Sequence, residues 1–282
     1  MTASEEAAKS MLTDIQNIRQ KVFETVSESD RKLTYGEVEK RLSQKFAVHK
    51  KALKTAISEL VADRQLIYTY NLGCSFLEKS FNKPTRISKR IILKPPEMSY
   101  TPEPDDVVID IAQGASFGSG EHPTTRLAVG GIEVALSEKN RFSKPNHTRA
   151  LDIGTGSGIL ALAAVSLGVT EALAIDIDPC SRSEAKKNIR LNNMSHRIQV
   201  LDRDIQQINE KFSLVTANLR YPTLVRLCSH IATITDQAGR VVISGIKTHE
   251  VTDILYSYTR KGFSCSWKAV EKNWVGIVFV KP

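Results

Sequence analysis

Apolar side chains recur at helical spacing through the first 65 residues. Two stretches carry an apolar stripe at intervals of three and four positions: Leu12, Ile15, Ile18, Val22 and Val26 in the first, and Ala52, Leu53, Ala56, Ile57, Leu60 and Val61 in the second. Between them, Thr34 precedes Glu37 by three positions, the spacing of a capping box at a helix start. The pattern therefore predicts three helices in this part of the chain.

Two short β-rich runs follow these helices. They flank Asn71, Leu72 and Gly73, a sequence that favours a tight turn between paired strands. Helices followed by a hairpin are typical of a winged-helix domain, so residues 1–81 are predicted to form a small α+β domain of this kind. Basic side chains would begin and line its recognition-type helix: His49, Lys50, Lys51 and Lys54. Such domains dock DNA, RNA or protein, so the fold alone does not identify the partner.

The hydrophobic pattern breaks between residues 82 and 106. The segment 93–106, "LKPPEMSYTPEPDD", is rich in proline and acid and cannot form a long helix. Before it, "RISKRIILK" alternates in the manner of a single strand. We therefore expect a linker with one strand over residues 82–106 and a second domain over residues 107–282.

The second domain alternates predicted strands with helices. Strands are predicted at residues 150–153, 171–176, 198–201 and 213–217 and in "GRVVISGI", and the C-terminal stretch favours a closing antiparallel pair. This order predicts an α/β domain with a Rossmann-like sheet of seven strands. Because acids and an amide follow the strand ends, their side chains would meet at the carboxyl edge of the sheet, where such folds bind ligands.

A glycine-rich loop follows the first of these strands. Asp152 lies near the strand end, and Gly154, Gly156 and Gly158 follow at alternate positions. Glycines let the backbone approach a ligand closely, and the helix start behind them presents free N–H groups. The loop therefore predicts a nucleotide cofactor rather than a simple turn. Ile159 stands where a dinucleotide-binding fold has its third glycine, which counts against a nicotinamide oxidoreductase.

Polar residues at the later strand ends extend this prediction. Asp176, at the tip of the second strand, is placed to accept both hydroxyls of a ribose. Asp204 follows the third strand and is our first choice for a further polar contact with the ligand, with Asp202 second. Asn218 ends the fourth strand and begins "NLRYP". Enzymes that methylate the amino groups of nucleic-acid bases have Asn-Pro-Pro-aromatic at this place, so the sequence counts against such an enzyme.

Composition narrows the class of protein. The 282 residues are 41 % hydrophobic and 25 % charged, which is ordinary for a globular chain. No apolar run reaches the roughly 18 residues of a membrane span, and the N-terminus lacks the layout of a signal peptide. The four cysteines are scattered without a C-x-x-C pair, so a reducing, cytoplasmic setting is expected.

Positive charge is concentrated near the N-terminus. Residues 31–96 carry 15 Lys and Arg against 5 Asp and Glu, whereas the whole chain carries 39 against 31. A basic module of this kind favours an anionic partner such as nucleic acid or a ribonucleoprotein surface. The alternative is a solubilising surface without a specific partner.

The stretch "ASFGSGEHPTTR", residues 115–126, is the second chemical motif. It lacks the Gly-Lys-Ser/Thr ending of a phosphate loop, and no second cluster of metal-ligating residues accompanies it, so no metal is expected. The D-x-G-x-G-x-G pattern resembles motif I of the class I S-adenosylmethionine-dependent methyltransferases. Together with "LDIGTGSGIL", "AIDIDP", "ANL", "SGI" and "WVGIV", the stretch resembles the bacterial ribosomal protein L11 methyltransferase (PrmA-type) family over about residues 86–282.

That resemblance implies a cofactor, a reaction and a set of site residues. The cofactor is S-adenosyl-L-methionine, and the methyl acceptor is an amine of a protein, either a lysine or an N-terminus, with a ribosomal protein as the expected partner. By position, the resemblance implies a role for each of these residues: Phe117 and Gly118 lining the pocket, Thr124 and Thr125 by the methionine carboxylate, Asp152 by the ammonium, Asp204 (or, as second choice, Asp202) by the adenine amino group, and Asn218 near the methyl group.

The resemblance leaves the proton acceptor and the substrate open. His122 is the candidate general base, and its alternative role is to shape the loop by hydrogen bonds, while Asn218 could orient an amine. The family's N-terminal domain is ferredoxin-like, unlike the winged helix predicted here. An RNA methyltransferase and a DNA-binding regulator that senses S-adenosylmethionine are therefore alternatives. The complete set of Thr124, Thr125 and Asn218 speaks against the regulator, and the sequence predicts no oligomeric state.

Overall fold

The computed structural model describes residues 3–29, 31–46, 48–71, 73–112, 114, 116–118, 120–137 and 148–282. It divides the chain into two compact units, Met1–Lys83 and Pro84–Pro282. Of the linker expected over residues 82–106, residues 84–106 are grouped with the second unit. Among the described residues, no helix has both the length and the apolar character that a membrane crossing requires.

The first unit contains three helices and a small sheet. Its elements are α1 (Ala3–Ser27), β1 (Leu33–Thr34), α2 (Tyr35–Phe46), α3 (Lys50–Ala62), β2 (Leu66–Asn71) and β3 (Cys74–Lys79). The sheet has the order β1-β3-β2, so β2 is an edge strand. Apolar faces of the helices meet the sheet in a core of its own, which includes Val22, Leu53, Ile57 and Leu77.

The predicted helices and hairpin of this unit are confirmed. The Glu37 carboxylate accepts a hydrogen bond from the Thr34 amide at 2.9 Å, and the Glu37 amide donates to the Thr34 hydroxyl at 3.3 Å, which closes the predicted capping box. β2 and β3 pair antiparallel around the predicted turn. Of the residues used for these predictions, Leu72 and the side chains of Leu12 and Asn71 lie outside what the structure describes.

The prediction of a single strand in "RISKRIILK" is wrong. The structure has two strands, β4 (Thr85–Arg86) and β5 (Ile91–Lys94), which pair antiparallel, and β5 pairs in parallel with β6 (Val107–Asp110). A turn separates β4 from β5 because Glu133 accepts hydrogen bonds from the backbone amides of Lys89 and Arg90, at 3.0 and 2.7 Å. This distant side chain could not be read from the local alternation.

The second unit is built on a mixed sheet of seven strands. Its further elements are α4 (Pro123–Ala135), β7 (Arg149–Ile153), α5 (Ile159–Ser166), β8 (Glu171–Ile175), α6 (Pro179–Leu191), β9 (Ile198–Leu201), β10 (Phe212–Asn218), α7 (Tyr221–Ile234), β11 (Thr235–Lys247), α8 (Val251–Thr259), β12 (Ser264–Glu271) and β13 (Trp274–Val280). The sheet order is β12-β13-β11-β10-β7-β8-β9. The five strands from β11 to β9 are parallel to one another, and β13 and β12 close the sheet antiparallel, as predicted.

Hydrophobic cores cover both faces of this sheet. One core contains side chains of α4, α5 and α6, and the other contains side chains of α7 and α8. Neighbouring residues of β7 alternate between them, with Ala150 in the first and Leu151 in the second. Because β7, β8 and β10 run parallel, Gly154, Asp176 and Asn218 come together at one carboxyl edge.

Candidate functional site

A cavity of about 620 Å³ lies at the carboxyl edge of β7, β8 and β10. Six of the residues predicted from the sequence line it: Phe117, Gly154, Gly156, Asp176, Asp204 and Asn218. The other predicted residues do not line it: Gly118, His122, Thr124, Thr125, Asp152 and Gly158. Half of the predicted residues therefore form part of the cavity wall, and the other half lie outside it.

The glycine loop has the left-handed backbone that glycine permits. The φ angles of Gly154, Gly156 and Gly158 are 70°, 54° and 85°. The amides of Gly154 and Thr155 donate to the carbonyl of Ile175 at 2.9 and 3.0 Å, which ties the loop to the end of β8. A Cβ on Gly156 would lie 2.4 Å from the carbonyl oxygen of Phe117, so only glycine fits at this crossing.

The carboxylate of Asp176 is held in place by two backbone amides. Its Oδ2 accepts from the Gly156 amide at 2.9 Å, and its Oδ1 accepts from the Asp178 amide at 3.0 Å. Each carboxylate oxygen can accept a further hydrogen bond. A pair of neighbouring hydroxyls in the cavity would therefore find two oriented acceptors. Ile177, next in the chain, lines the cavity with 86 % of its surface exposed and offers an apolar face beside them.

The two acids that follow β9 have different surroundings. Asp204 lines the cavity, and one of its oxygens accepts from the Gln206 amide at 2.9 Å in the short 3-10 turn that follows. Asp202 forms an ion pair with Arg182 at 2.8 Å and is not among the lining residues. This geometry supports the first choice of Asp204 over Asp202 for a polar contact with a ligand.

Asp152 lies behind the glycine loop instead of in the cavity wall. Its carboxyl group is buried and accepts from the hydroxyls of Thr155 at 2.6 Å and Thr216 at 2.7 Å. Burial raises the pKa of Asp152 to about 6, although both hydroxyls act in the opposite direction. The sequence interpretation had placed this carboxylate beside a ligand ammonium. In the structure it joins β7, the loop and β10.

His122 and two threonines form the start of α4. His122 is the N-cap residue: its Nδ1 accepts from the Thr124 amide at 3.3 Å and lies 2.8 Å from the Thr124 hydroxyl. Burial, together with the charges of Arg126 and Lys247, lowers the pKa of His122 and so favours the neutral ring. The arrangement matches the loop-shaping alternative, in which His122 closes the end of a helix.

Thr125 has an unsatisfied buried hydroxyl. The residue is 1 % exposed, and its Oγ1 has no hydrogen-bond partner among the described residues. A buried hydroxyl without a partner costs free energy unless a ligand or water completes it. The amides of Thr124 and Thr125 already donate to His122, so the Thr125 hydroxyl is the donor at the start of α4 that a ligand carboxylate would complete. Gly118 lies nearby in the chain, and its carbonyl accepts from the Ser157 hydroxyl at 3.0 Å.

The rings of Phe117, His122 and Trp274 form an aromatic cluster. The ring of His122 lies 5.2 Å from that of Phe117 and 4.9 Å from that of Trp274. Lys247 holds its Nζ 3.4 Å from the centre of the Trp274 ring. Phe117 is 52 % exposed and belongs to both the cluster and the cavity wall. The cluster therefore offers a partly apolar rim to the cavity beside Phe117.

Several lining residues were not found by the sequence analysis. They come mostly from the first turns of helices and from loops after strands: Ile177, Ser181, Arg203, Ile205, Gln206, Leu219, Thr223 and Arg226. Leu219 had a usable signal, since it directly follows Asn218. Its amide donates to the Ser244 carbonyl at 3.1 Å, and a Cβ on Gly245 would lie 2.3 Å from its carbonyl oxygen. This close approach fixes the segment that carries Asn218.

The sheet order, the glycine loop after β7 and the acid after β8 define the class of this unit: it has the class I methyltransferase fold. A solved structure of ribosomal protein L11 methylase from Lactobacillus delbrueckii subsp. bulgaricus is similar with a TM-score of 0.63 and 29 % identity, and the match covers 71 % of this chain and 98 % of that one. The profile of the family described as "Ribosomal protein L11 methyltransferase (PrmA)" matches residues 75–282. The chain belongs to this family.

Curated relatives carry the same family name. Ribosomal protein L11 methyltransferase of Heliobacterium modesticaldum is 32 % identical over 201 residues, which are 71 % of this chain and 61 % of the relative. The protein of that name from Geobacter sulfurreducens is 34 % identical over 196 residues, which are 70 % of this chain and 62 % of the relative. The chain thus spans less than two thirds of the length of these relatives. The expected resemblance to the PrmA-type family over about residues 86–282 is confirmed, and the match begins at residue 75.

Proposed function

We propose that the chain is an S-adenosylmethionine-dependent methyltransferase that transfers a methyl group to an amine of a ribosomal protein. The observation that carries this proposal is the cavity beside the glycine loop, in which two backbone amides orient the carboxylate of Asp176. Family membership supports the reaction, and the names of the relatives support a ribosomal protein as the acceptor. The acceptor atom is a lysine or N-terminal nitrogen.

The residues around the cavity fit S-adenosylmethionine. Asp176 would accept hydrogen bonds from the ribose hydroxyls, and Asp204 would accept from the adenine amino group, with Ile177 and Ile205 against the base. The unsatisfied hydroxyl of Thr125 supports a carboxylate at the start of α4, next to Thr124. Phe117 and Gly118 would cover the glycine loop formed by Gly154, Gly156 and Gly158. Asp152 supports this loop from behind.

The reaction requires a neutral amine held in line with the methyl group. When bound, the cofactor supplies an electrophilic methyl group on a sulfonium. Positioning the two reactants accounts for much of the acceleration. The side-chain carbonyl of Asn218, in the cavity wall, would accept from the amine and orient its lone pair. A lysine must first lose its proton, which the apolar rim of Phe117 and Trp274 favours by lowering the pKa of a bound ammonium. His122 acts as a helix cap in this proposal.

We also propose that the N-terminal unit recruits the partner. Its order, α1-β1-α2-α3-β2-β3, supports a winged-helix domain over about residues 1–81, joined through residues 82–106 to the catalytic domain at 107–282. The positive charge of residues 31–96 favours a contact with nucleic acid near the acceptor protein. A cytoplasmic location follows from a ribosomal acceptor.

A labelling experiment tests the reaction and the acceptor together. The full chain is incubated with methyl-labelled S-adenosylmethionine and an extract of cells that lack it, and the labelled product is treated with ribonuclease or protease. We expect label on a ribosomal protein that survives ribonuclease and is lost to protease. Label lost to ribonuclease would support an RNA methyltransferase instead. Calorimetry with S-adenosylhomocysteine and with NAD checks the cofactor, and preferential binding of NAD would overturn it.

A further inference from the structure

Two exposed tyrosines stand on one face of the edge strand β2. Tyr68 is 48 % exposed and Tyr70 is 76 % exposed, and the spacing of two puts them on the same side of the strand. Leu66, two residues earlier on that side, is buried in the core of the N-terminal unit. The core therefore covers this face of β2 at Leu66 but not at the two tyrosines, which lie farther along the strand. Neither ring belongs to the hydrophobic core of the unit.

The helix α3 presents unpaired lysines to solvent. Lys51 and Lys54 are exposed one turn apart, with Thr55 and Ser58 on the same side. Neither lysine has an ion-pair partner among the described residues, whereas Lys50 is paired with Glu39 at 3.0 Å. The exposed side of α3 thus carries two free cations flanked by hydroxyl groups.

The helix α3 packs against β2, and only residues 63–65 separate the two elements in the chain. Partial burial, and then the nearby Tyr35, raises the pKa of Tyr68. The pKa of Lys50 is raised chiefly by its hydrogen bond to Glu39 and further by Tyr35. Both shifts include a contribution from Tyr35, at the start of α2, which agrees with that arrangement. The tyrosines of β2 and the lysines of α3 thus lie on two neighbouring elements of one unit, and we call these four residues the tyrosine–lysine surface: Tyr68, Tyr70, Lys51 and Lys54.

The charge of the unit favours an anionic partner for this surface. Residues 31–83 carry eleven Lys and Arg against five Asp and Glu, a formal net charge of +6. Lysines alone would suit any polyanion, including an acidic peptide or a DNA duplex. The exposed aromatic faces are more selective, because they stack on bases that are not already paired in a duplex. Unpaired bases are common in RNA, while cellular DNA is mostly paired.

We propose that the tyrosine–lysine surface binds single-stranded RNA, with Tyr68 and Tyr70 stacking on successive bases and Lys51 and Lys54 contacting phosphates. The surface lies within the N-terminal unit and uses no residue of the cavity. RNA binding here is independent of methyl transfer, and its test needs no cofactor.

The test measures binding of a fluorescent, unstructured twelve-nucleotide RNA to the full chain by anisotropy at several salt concentrations. Tyr70→Leu and Tyr68→Leu are each expected to weaken binding by roughly 5- to 100-fold, the usual effect of losing one base–aromatic stack. The double variant Lys51→Gln/Lys54→Gln is expected to bind with a weaker salt dependence. Its slope of log affinity against log salt should be less steep by about 0.7 for each phosphate that it no longer neutralises. Circular dichroism and melting of each variant confirm that it is folded.

Matched substitutions in the catalytic unit are the controls. Tyr256→Leu removes a tyrosine that is 62 % exposed, and Lys186→Gln with Lys187→Gln removes two exposed lysines of α6. These variants are expected to bind the RNA like the unchanged chain. Equal weakening by Tyr70→Leu and Tyr256→Leu would overturn the proposal. Tighter binding of a duplex of the same length, or competition by polyglutamate as strong as by unlabelled RNA, would also overturn it.

Discussion

At the residue scale, Asp152 shows how a buried carboxyl group affects stability. Its pKa of about 6 in the folded chain lies above the ordinary value of 3.8, because burial disfavours the charged form. The folded state therefore binds this proton more tightly than the unfolded state. The contribution to stability is fully present below about pH 3.8 and is lost as the pH rises through about 6. Above that pH, the buried Asp152 carboxylate is charged and no longer contributes to the free energy of unfolding.

Asp152→Asn is expected to remove this pH dependence. The amide of the variant stays neutral at every pH. Between pH 3 and pH 8, the free energy of unfolding of the unchanged chain is therefore expected to fall by about 3 kcal/mol more than that of the variant. Chemical denaturation across this range measures the difference. Thr155→Val, which removes a donor to the carboxylate, is expected to shift the loss to higher pH. Parallel stability curves for Asp152→Asn and the unchanged chain would contradict the assignment.

The role of His122 can be separated into capping and catalysis. Asparagine is a good N-cap residue but a very weak base, so His122→Asn is expected to keep methyl transfer within about threefold of the unchanged chain, whereas loss of a general base costs about 100-fold or more. His122→Ala is expected to lower the free energy of unfolding by about 1 kcal/mol. Initial rates and thermal melts measure both effects. A rate for His122→Asn as low as that of a base-deleted enzyme would make His122 the proton acceptor.

At the element scale, the glycine loop depends on a close crossing with the segment that carries Phe117. In Gly156→Ala, the new methyl group would lie 2.4 Å from the Phe117 carbonyl oxygen, at a φ of 54°. The loop or the segment must shift, so we expect the affinity for S-adenosylhomocysteine to fall by roughly 5- to 100-fold. Calorimetry measures this loss.

A second glycine provides the matched control for that substitution. Gly130 lies inside α4, and a Cβ there would meet nothing within 4 Å. Gly130→Ala is therefore expected to leave cofactor affinity unchanged and to raise the free energy of unfolding by about 0.5–1 kcal/mol, because alanine is the better helix former. Equal cofactor affinity in both alanine variants would contradict the crossing.

Elements with a strong local signal were predicted from the sequence, and those fixed by distant contacts were not. The alternation of strands and helices, together with the rule that parallel strands end at one edge, predicted that Asp176, Asp204 and Asn218 border a common cavity. The turn between β4 and β5 depends on Glu133, which lies more than 40 residues away in the chain. Arg226 likewise reaches the cavity through the packing of α7, which no local pattern encodes.

At the scale of the whole molecule, two units have separate cores and separate chemical features. The core of the first unit is formed by α1, α2, α3 and their small sheet, and two other cores cover the large sheet of the second unit. The cavity and the glycine loop belong entirely to the second unit. The free lysines of α3 and the exposed tyrosines of β2 belong to the first. Cofactor binding and partner recruitment are therefore expected to be separable.

A chain of residues 84–282 tests this separation. We expect it to fold and to bind S-adenosylhomocysteine with the affinity of the full chain, because every residue of the cavity is retained. Methylation of the intact ribosomal acceptor, at concentrations below KM, is expected to fall by roughly 100-fold or more, because tethering by the first unit is lost. A short peptide that carries only the acceptor amine should react equally with both chains. If both chains methylate the intact acceptor at equal rates, the second unit recognises the acceptor without the first. If the shorter chain also loses activity on the short peptide, the first unit is needed for the reaction itself.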